Sequence, residues 1–95
     1  MDTFDQIASK IIKEQELIIG PLAWQEADQV KHLHVIDRVT GTVDIDAGVD
    51  HGEVINELVN RYVSLFGRAA REACREAAIA LISDLQPSEV PSSLQ

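Results

Sequence analysis

Three histidines, one cysteine, a knot of carboxylates and a row of arginines are the side chains of this chain whose types and spacing could do chemistry. His32 and His34 point the same way on an extended segment, and His51 opens a helix, so together they carry the donor set of a transition-metal site. No carboxylate–histidine helix motif accompanies them, and scattered surface histidines are the commoner case, so no metal is expected. Beside Asp37, the pair His32 and His34 can instead take up protons just below neutral pH and tune an interface. Asp44, Asp46, Asp50 and Glu53 gather the oxygen ligands that hard cations prefer around one loop. Gly48 stands where a third ligand belongs and Asp50 is better used as a helix cap, so a solvated acidic loop is expected rather than a calcium site.

Cys74 lies among small residues with no histidine near it in sequence, which suits a buried small hydrophobe rather than a thiol nucleophile. Ser9 and Ser64 lack triad-like context. Gly20, Gly41, Gly48, Gly52 and Gly67 are each isolated and make no phosphate-cradling loop. Among 16 acidic residues, no single Asp or Glu stands out as a general acid or base. The expectation is a protein that is not an enzyme and uses no cofactor.

The arginines are more informative. Arg61, Arg68 and Arg75 recur every seven residues with Arg71 between them, so on one continuous helix all four share a stripe. Such a stripe is either a solvated face laced by pairs such as Glu57–Arg61 and Arg68–Glu72, each worth about 0.3 kcal/mol, or a docking site for an anion or acidic partner surface. The acidic cluster Glu14, Glu16, Glu26 and Asp28 of a second protomer would serve as that surface, setting orientation more than affinity. A helix break at Gly67 removes Arg61 from the stripe.

The elements that must position these groups follow from periodicity. Thr3 and Gln6 have capping-box spacing, and Phe4, Ile7, Ala8, Ile11 and Ile12 mark the buried stripe of a first helix running to Ile19. Gly20-Pro21 turns a corner into a short helix from Pro21 to about Val30, with Trp24 at its edge as a packing anchor. Residues 33–46 change period: β-branched residues flank Thr40-Gly41, the pattern of a β-hairpin, which is marginal alone and could add strands across a dimer. Asp50 with Glu53 then caps a long helix over 50–85. Gly67 either divides it into 52–66 and 68–85 or lets another backbone come close. Residues 77–82, apolar all round, should be buried from every side. Residues 86–95, rich in Pro and Ser, read as a disordered tail.

The fold class predicted is α+β, in the order α-α-β-β-α, as one domain over 1–85. A net charge of −8 repels phosphate backbones and anionic lipid, which argues against nucleic acid. No window reaches the roughly 18 apolar residues of a membrane span, the N-terminus shows no basic leader, and one cysteine suits a reducing compartment. A soluble, cytoplasmic protein is therefore expected. The long helix has more apolar surface than so short a chain covers alone. That favours a non-enzymatic interaction or regulatory module acting as a homodimer, or one docked on a larger protein. Its interface would be the hairpin edge, the small-residue face Ala70, Ala73, Cys74, Ala77, Ile79 and Ile82, or both. The alternative is a small-molecule sensor with an apolar pocket at Trp24, Tyr62 and Phe66, in which Arg61 or Arg68 orients an anionic ligand.

Overall fold

Helix α1 (Thr3–Ile19) starts where the Asp2 carboxylate accepts from the Asp5 N–H at 2.9 Å. The cap is one residue earlier than the Thr3–Gln6 spacing predicts, because a carboxylate both satisfies an early N–H and complements the positive helix end. The computed structural model describes residues 2–95. Ile7, Ala8, Ile11, Ile12 and Gln15 form the buried stripe of α1, which contacts every later helix and the hairpin.

Gly20 ends α1 and introduces α2 (Leu22–Ala27). Beyond Ala27 the bonds tighten to three-residue turns, Gln29 N–H to Glu26 O and Val30 N–H to Ala27 O, so the second helix is shorter than expected although Val30 stays buried. Strands β1 (Leu33–Asp37) and β2 (Thr42–Ile45) pair antiparallel, with Leu33 opposite Ile45 and Val35 opposite Val43. A register shift between Val35 and Asp37 turns Ile36 out into solvent, which is why the first strand alternates poorly in sequence. The Asp37 carboxylate closes the turn by accepting from the N–H groups of Val39 and Thr40. One edge of the hairpin is closed by α1: Asp5 Oδ1 accepts from Ile45 N–H at 3.0 Å and Ser9 Oγ donates to Gly41 O at 2.6 Å.

Helix α3 (His51–Phe66) begins at Asp50, whose side chain accepts from Glu53 N–H, and ends at Gly67; α4 (Arg68–Ile82) follows at once. The architecture is thus α+β, with the long helix divided into two. The two interhelical corners are built alike. Gly20 (φ 71°, ψ −153°) and Gly67 (φ 76°, ψ −161°) each donate their N–H to the carbonyl four residues back, Glu16 O and Val63 O. That backbone region is essentially reserved for glycine. Gly67→Ala is therefore expected to destabilise by about 1–3 kcal/mol in urea unfolding, whereas in a continuous helix the same change would stabilise by about 1 kcal/mol. The sign alone reports the break.

Two expectations are corrected at the C-terminal end. Residues 77–82 are not buried all round: Ala78 is buried against α1, Ala77, Leu81 and Ile82 are half-buried, and Ile79 is 63% exposed. At 3.6 residues per turn the six positions 77–82 run through more than a full circle, and one neighbour covers a single face. Residues 86–95 are not a disordered tail but fold back over α3 and α4 through two 3-10 turns, Pro87–Glu89 and Ser92–Leu94. Leu94, 2% exposed, supplies the apolar anchor that composition averaging over Pro and Ser hides.

Candidate functional site

The small-residue face of α4 is occupied from within. Ala70, Cys74 and Ala78 are buried against α1, and the buried Gln15 amide donates to Ala70 O at 3.1 Å and to Cys74 Sγ at 3.4 Å, fixing the register of the two antiparallel helices. Ala73 and Ala77 lie half-buried on the flank of that face, and Ile82 packs partly on the core. Burial pushes the Cys74 thiol up to about 11, with the Gln15 contact opposing, so it carries no thiolate at neutral pH.

The arginine stripe divides at Gly67. Arg61 leaves it and turns to α2, where its Nη2 donates to Glu26 Oε1 at 2.9 Å. Arg71 Nε donates to Ser93 O at 3.3 Å, while Arg68 and Arg75 stay on the exposed face of α4 beside Ile79. The three aromatics do not assemble a pocket. Trp24, 1% exposed, and Tyr62, fully buried, are core residues that pin α2 between its neighbours. Trp24 Nε1 donates to Glu16 Oε2 of α1 at 2.6 Å, and Tyr62 Oη of α3 donates to Ala23 O at 2.7 Å. Phe66 is 40% exposed at the Gly67 corner.

The histidines do converge, but on Asp46 rather than Asp37, whose carboxylate is spent on its turn. His32 Nδ1 and His34 Nε2 approach the two oxygens of Asp46 at 3.0 and 2.7 Å, and His51 Nε2 lies 3.1 Å from its backbone carbonyl. Phe4 stacks edge-on against the His51 ring at 5.7 Å. No group of His, Cys, Asp or Glu among the described residues is disposed to hold a metal ion. The cluster ties the base of the hairpin to the start of α3. Hydrogen bonds from His32 and then His34 hold the Asp46 carboxyl below its ordinary range, so Asp46 favours the folded state at neutral pH and that contribution is lost as acid protonates it. Asp5 is opposite in sign: burial raises it, so its stabilising proton is lost as pH rises. In urea titrations Asp46→Asn should lower stability at pH 7 and converge with wild type in strong acid. Asp5→Asn should raise it at pH 7, since the amide oxygen still accepts from Ile45 N–H, and show little gain below pH 4. A parallel shift of either variant at all pH values would remove the charge from the explanation.

Two features were not read from sequence. A cleft of ≈470 Å³ lies between α2 and α3, lined by Glu26, Gln29, Asn60, Arg61, Ser64 and Leu65 among others, with Arg61 Nε buried and without an acceptor among the described residues. The second is an apolar end. The tie points Gln15–Ala70 and Tyr62–Ala23 link the stretches on either side of the two glycine corners, and Ile18 (60%), Leu22 (38%), Leu65 (52%) and Phe66 (40%), each within two residues of a corner glycine, are exposed. The available signal was the pair of bulky apolar residues immediately before each corner glycine, which lie beyond the last turn a neighbouring helix covers. No helix among the described residues is long and apolar enough to cross a membrane. No protein-family model, curated protein or solved structure matches the chain.

Proposed function

We propose that this chain is a non-enzymatic protein–protein interaction module of regulatory type, working in the cytoplasm as a homodimer. The observation that carries the reading is the apolar end, four large side chains left to water beside the two glycine corners. A second copy is the occupant proposed, on local charge pairing that acts against the overall repulsion of two chains of net charge −8. Glu16 precedes Ile18 by two residues and Arg68 follows Phe66 by two, so an isologous contact sets carboxylate against guanidinium around an apolar centre. The test is solution mass by light scattering after size exclusion, over a concentration series. A mass approaching twice 10.5 kDa as concentration rises supports the dimer; a constant monomer mass into the millimolar range sinks it.

The cleft between α2 and α3 favours a second reading, a small-molecule sensor. An unsatisfied buried donor asks for an acceptor, and Arg61 beside Gln29, Asn60 and Ser64 offers a carboxylate both charge and hydrogen bonds. Trp24 and Tyr62 neighbour the cleft in sequence, so a saturable change of tryptophan fluorescence with small carboxylates would favour the sensor, and a flat response the adaptor.

A further inference from the structure

The cleft between α2 and α3 presents both signs of charge to the same space. Arg61 lines it from α3 with one edge of its guanidinium half used: Nη2 donates to Glu26 Oε1 at 2.9 Å, while Nε, on the same edge, is buried and has no acceptor among the described residues. Nε and Nη2 together match the two oxygens of one carboxylate, and Glu26 meets that edge with a single oxygen. One helical turn earlier, Glu57 lines the same cleft, exposed and paired with no cation among the described residues. Residues four apart on a helix stand about 5–6 Å from one another at Cβ, so an anionic and a cationic group lie side by side on one wall.

That balance of charge selects among ligands. Two glutamates, Glu26 and Glu57, face one arginine in a chain that carries −8 overall. A plain carboxylate is drawn to Arg61 but enters the field of both glutamates, and like charges brought together cost affinity. A plain amine is drawn to the glutamates and leaves Arg61 Nε without an acceptor. An α-amino acid carries both groups on a single carbon, a carboxylate for the Nε–Nη2 edge and an ammonium for the glutamates. Val30 and Leu65 supply the apolar part of the lining, which suits an aliphatic side chain. The volume of ≈470 Å³ falls within the range of roughly 300–1,000 Å³ usual for small-ligand sites.

We propose that the cleft between α2 and α3 binds a free α-amino acid with an aliphatic side chain. Its carboxylate lies side-on to Arg61 in place of Glu26, and its ammonium donates to Glu57 and to the released Glu26. The proposal rests on the sensor reading and names the ligand class for it.

The test is isothermal titration calorimetry of the full-length chain with L-leucine, with 4-methylpentanoate, which is leucine without its amino group, and with 3-methylbutylamine, which is leucine without its carboxylate. Leucine is expected to bind saturably and at least tenfold tighter than either fragment. Arg61→Gln should weaken leucine tenfold or more. Glu57→Gln, at an exposed position whose exchange leaves the fold intact, should weaken leucine at least threefold yet tighten 4-methylpentanoate, because it removes one ammonium acceptor and one repelling charge together. Binding of 4-methylpentanoate as tight as that of leucine overturns the amino-acid proposal and leaves the sensor reading standing. An amine as tight as leucine, or no binding of any probe into the millimolar range, overturns both. Leucine binding that neither substitution changes belongs to another site and overturns the proposal. Should Arg61→Gln fail to fold, Glu57→Gln decides alone: leucine and 4-methylpentanoate moving in the same direction overturns it.

Discussion

Trp24→Ala is expected to remove about 3–5 kcal/mol of folding free energy, the usual cost of deleting a fully buried large aromatic. A small domain holds roughly 5–15 kcal/mol in all, so the variant should be partly unfolded at 37 °C. The magnitude follows from where Trp24 stands. Helix α2 has six residues, too few to persist alone in water. It is held by the Trp24 ring in the core, by Trp24 Nε1 on Glu16 and by Tyr62 Oη on Ala23 O. The chain has only four aromatic residues, and of these Trp24 and Tyr62 alone are fully buried, so no other ring can expand into the space. Glu16→Ala separates packing from hydrogen bonding, since it deletes the acceptor at an exposed position and should cost about 1 kcal/mol. Urea unfolding followed by far-ultraviolet circular dichroism measures both. Equal losses would mean that the ring is not the pin of α2.

How far such an arrangement can be read from sequence depends on whether the signal is local. The buried stripes of α1 and α3, the Asp50 cap and the hairpin turn are set within a few residues and were legible, whereas Gly67 was legible only as one of two alternatives, a break or a close approach, and the structure gives the break. The β-bulge at Ile36 was visible only as poor alternation, because a bulge is defined by the partner strand. What faces what was not legible. The alanine face of α4 reads equally well as an interface between chains, and only the Gln15 contacts to Ala70 and Cys74 give it to α1. Arg61 belongs by spacing to an arginine row and by geometry to Glu26, because Gly67 resets the helical phase. The C-terminal segment was misread for a thermodynamic reason. Its composition lowers the average hydrophobicity, yet one buried leucine and the three hydrogen bonds of Ser93 with Asn56 and Arg71 suffice to order the few residues around them. For the candidate site itself, the histidines and arginines were named from sequence, but the apolar end was not, since whether the residues flanking each corner are covered depends on elements distant in sequence.

Leu65→Glu combined with Phe66→Glu is expected to raise the dimer dissociation constant at least about 100-fold, which is about 2.7 kcal/mol. In a two-fold contact each substitution enters twice, so four carboxylates replace apolar contact at the centre of the interface, where an unpaired charge is most costly. The isolated protomer should barely notice, because both positions are already open to water, 52% and 40% exposed, and surface changes of this kind usually stay within about 0.5 kcal/mol. That pairing of effects separates the apolar end from the α4 face. Ala78→Arg, placed on the fully buried side of α4 against α1, should unfold the chain rather than dissociate it. Salt supplies the remaining discrimination. Two copies of a chain with a net charge of −8 repel one another, so an association driven by apolar area should tighten as salt screens that repulsion. One driven by Arg68 and Arg75 against acidic residues should weaken instead. Light scattering of wild type and double variant at low and high salt reads both signs in one series, and a dimer that survives the two glutamates yet dissolves in salt would move the interface from the corner leucine and phenylalanine to the exposed arginines of α4.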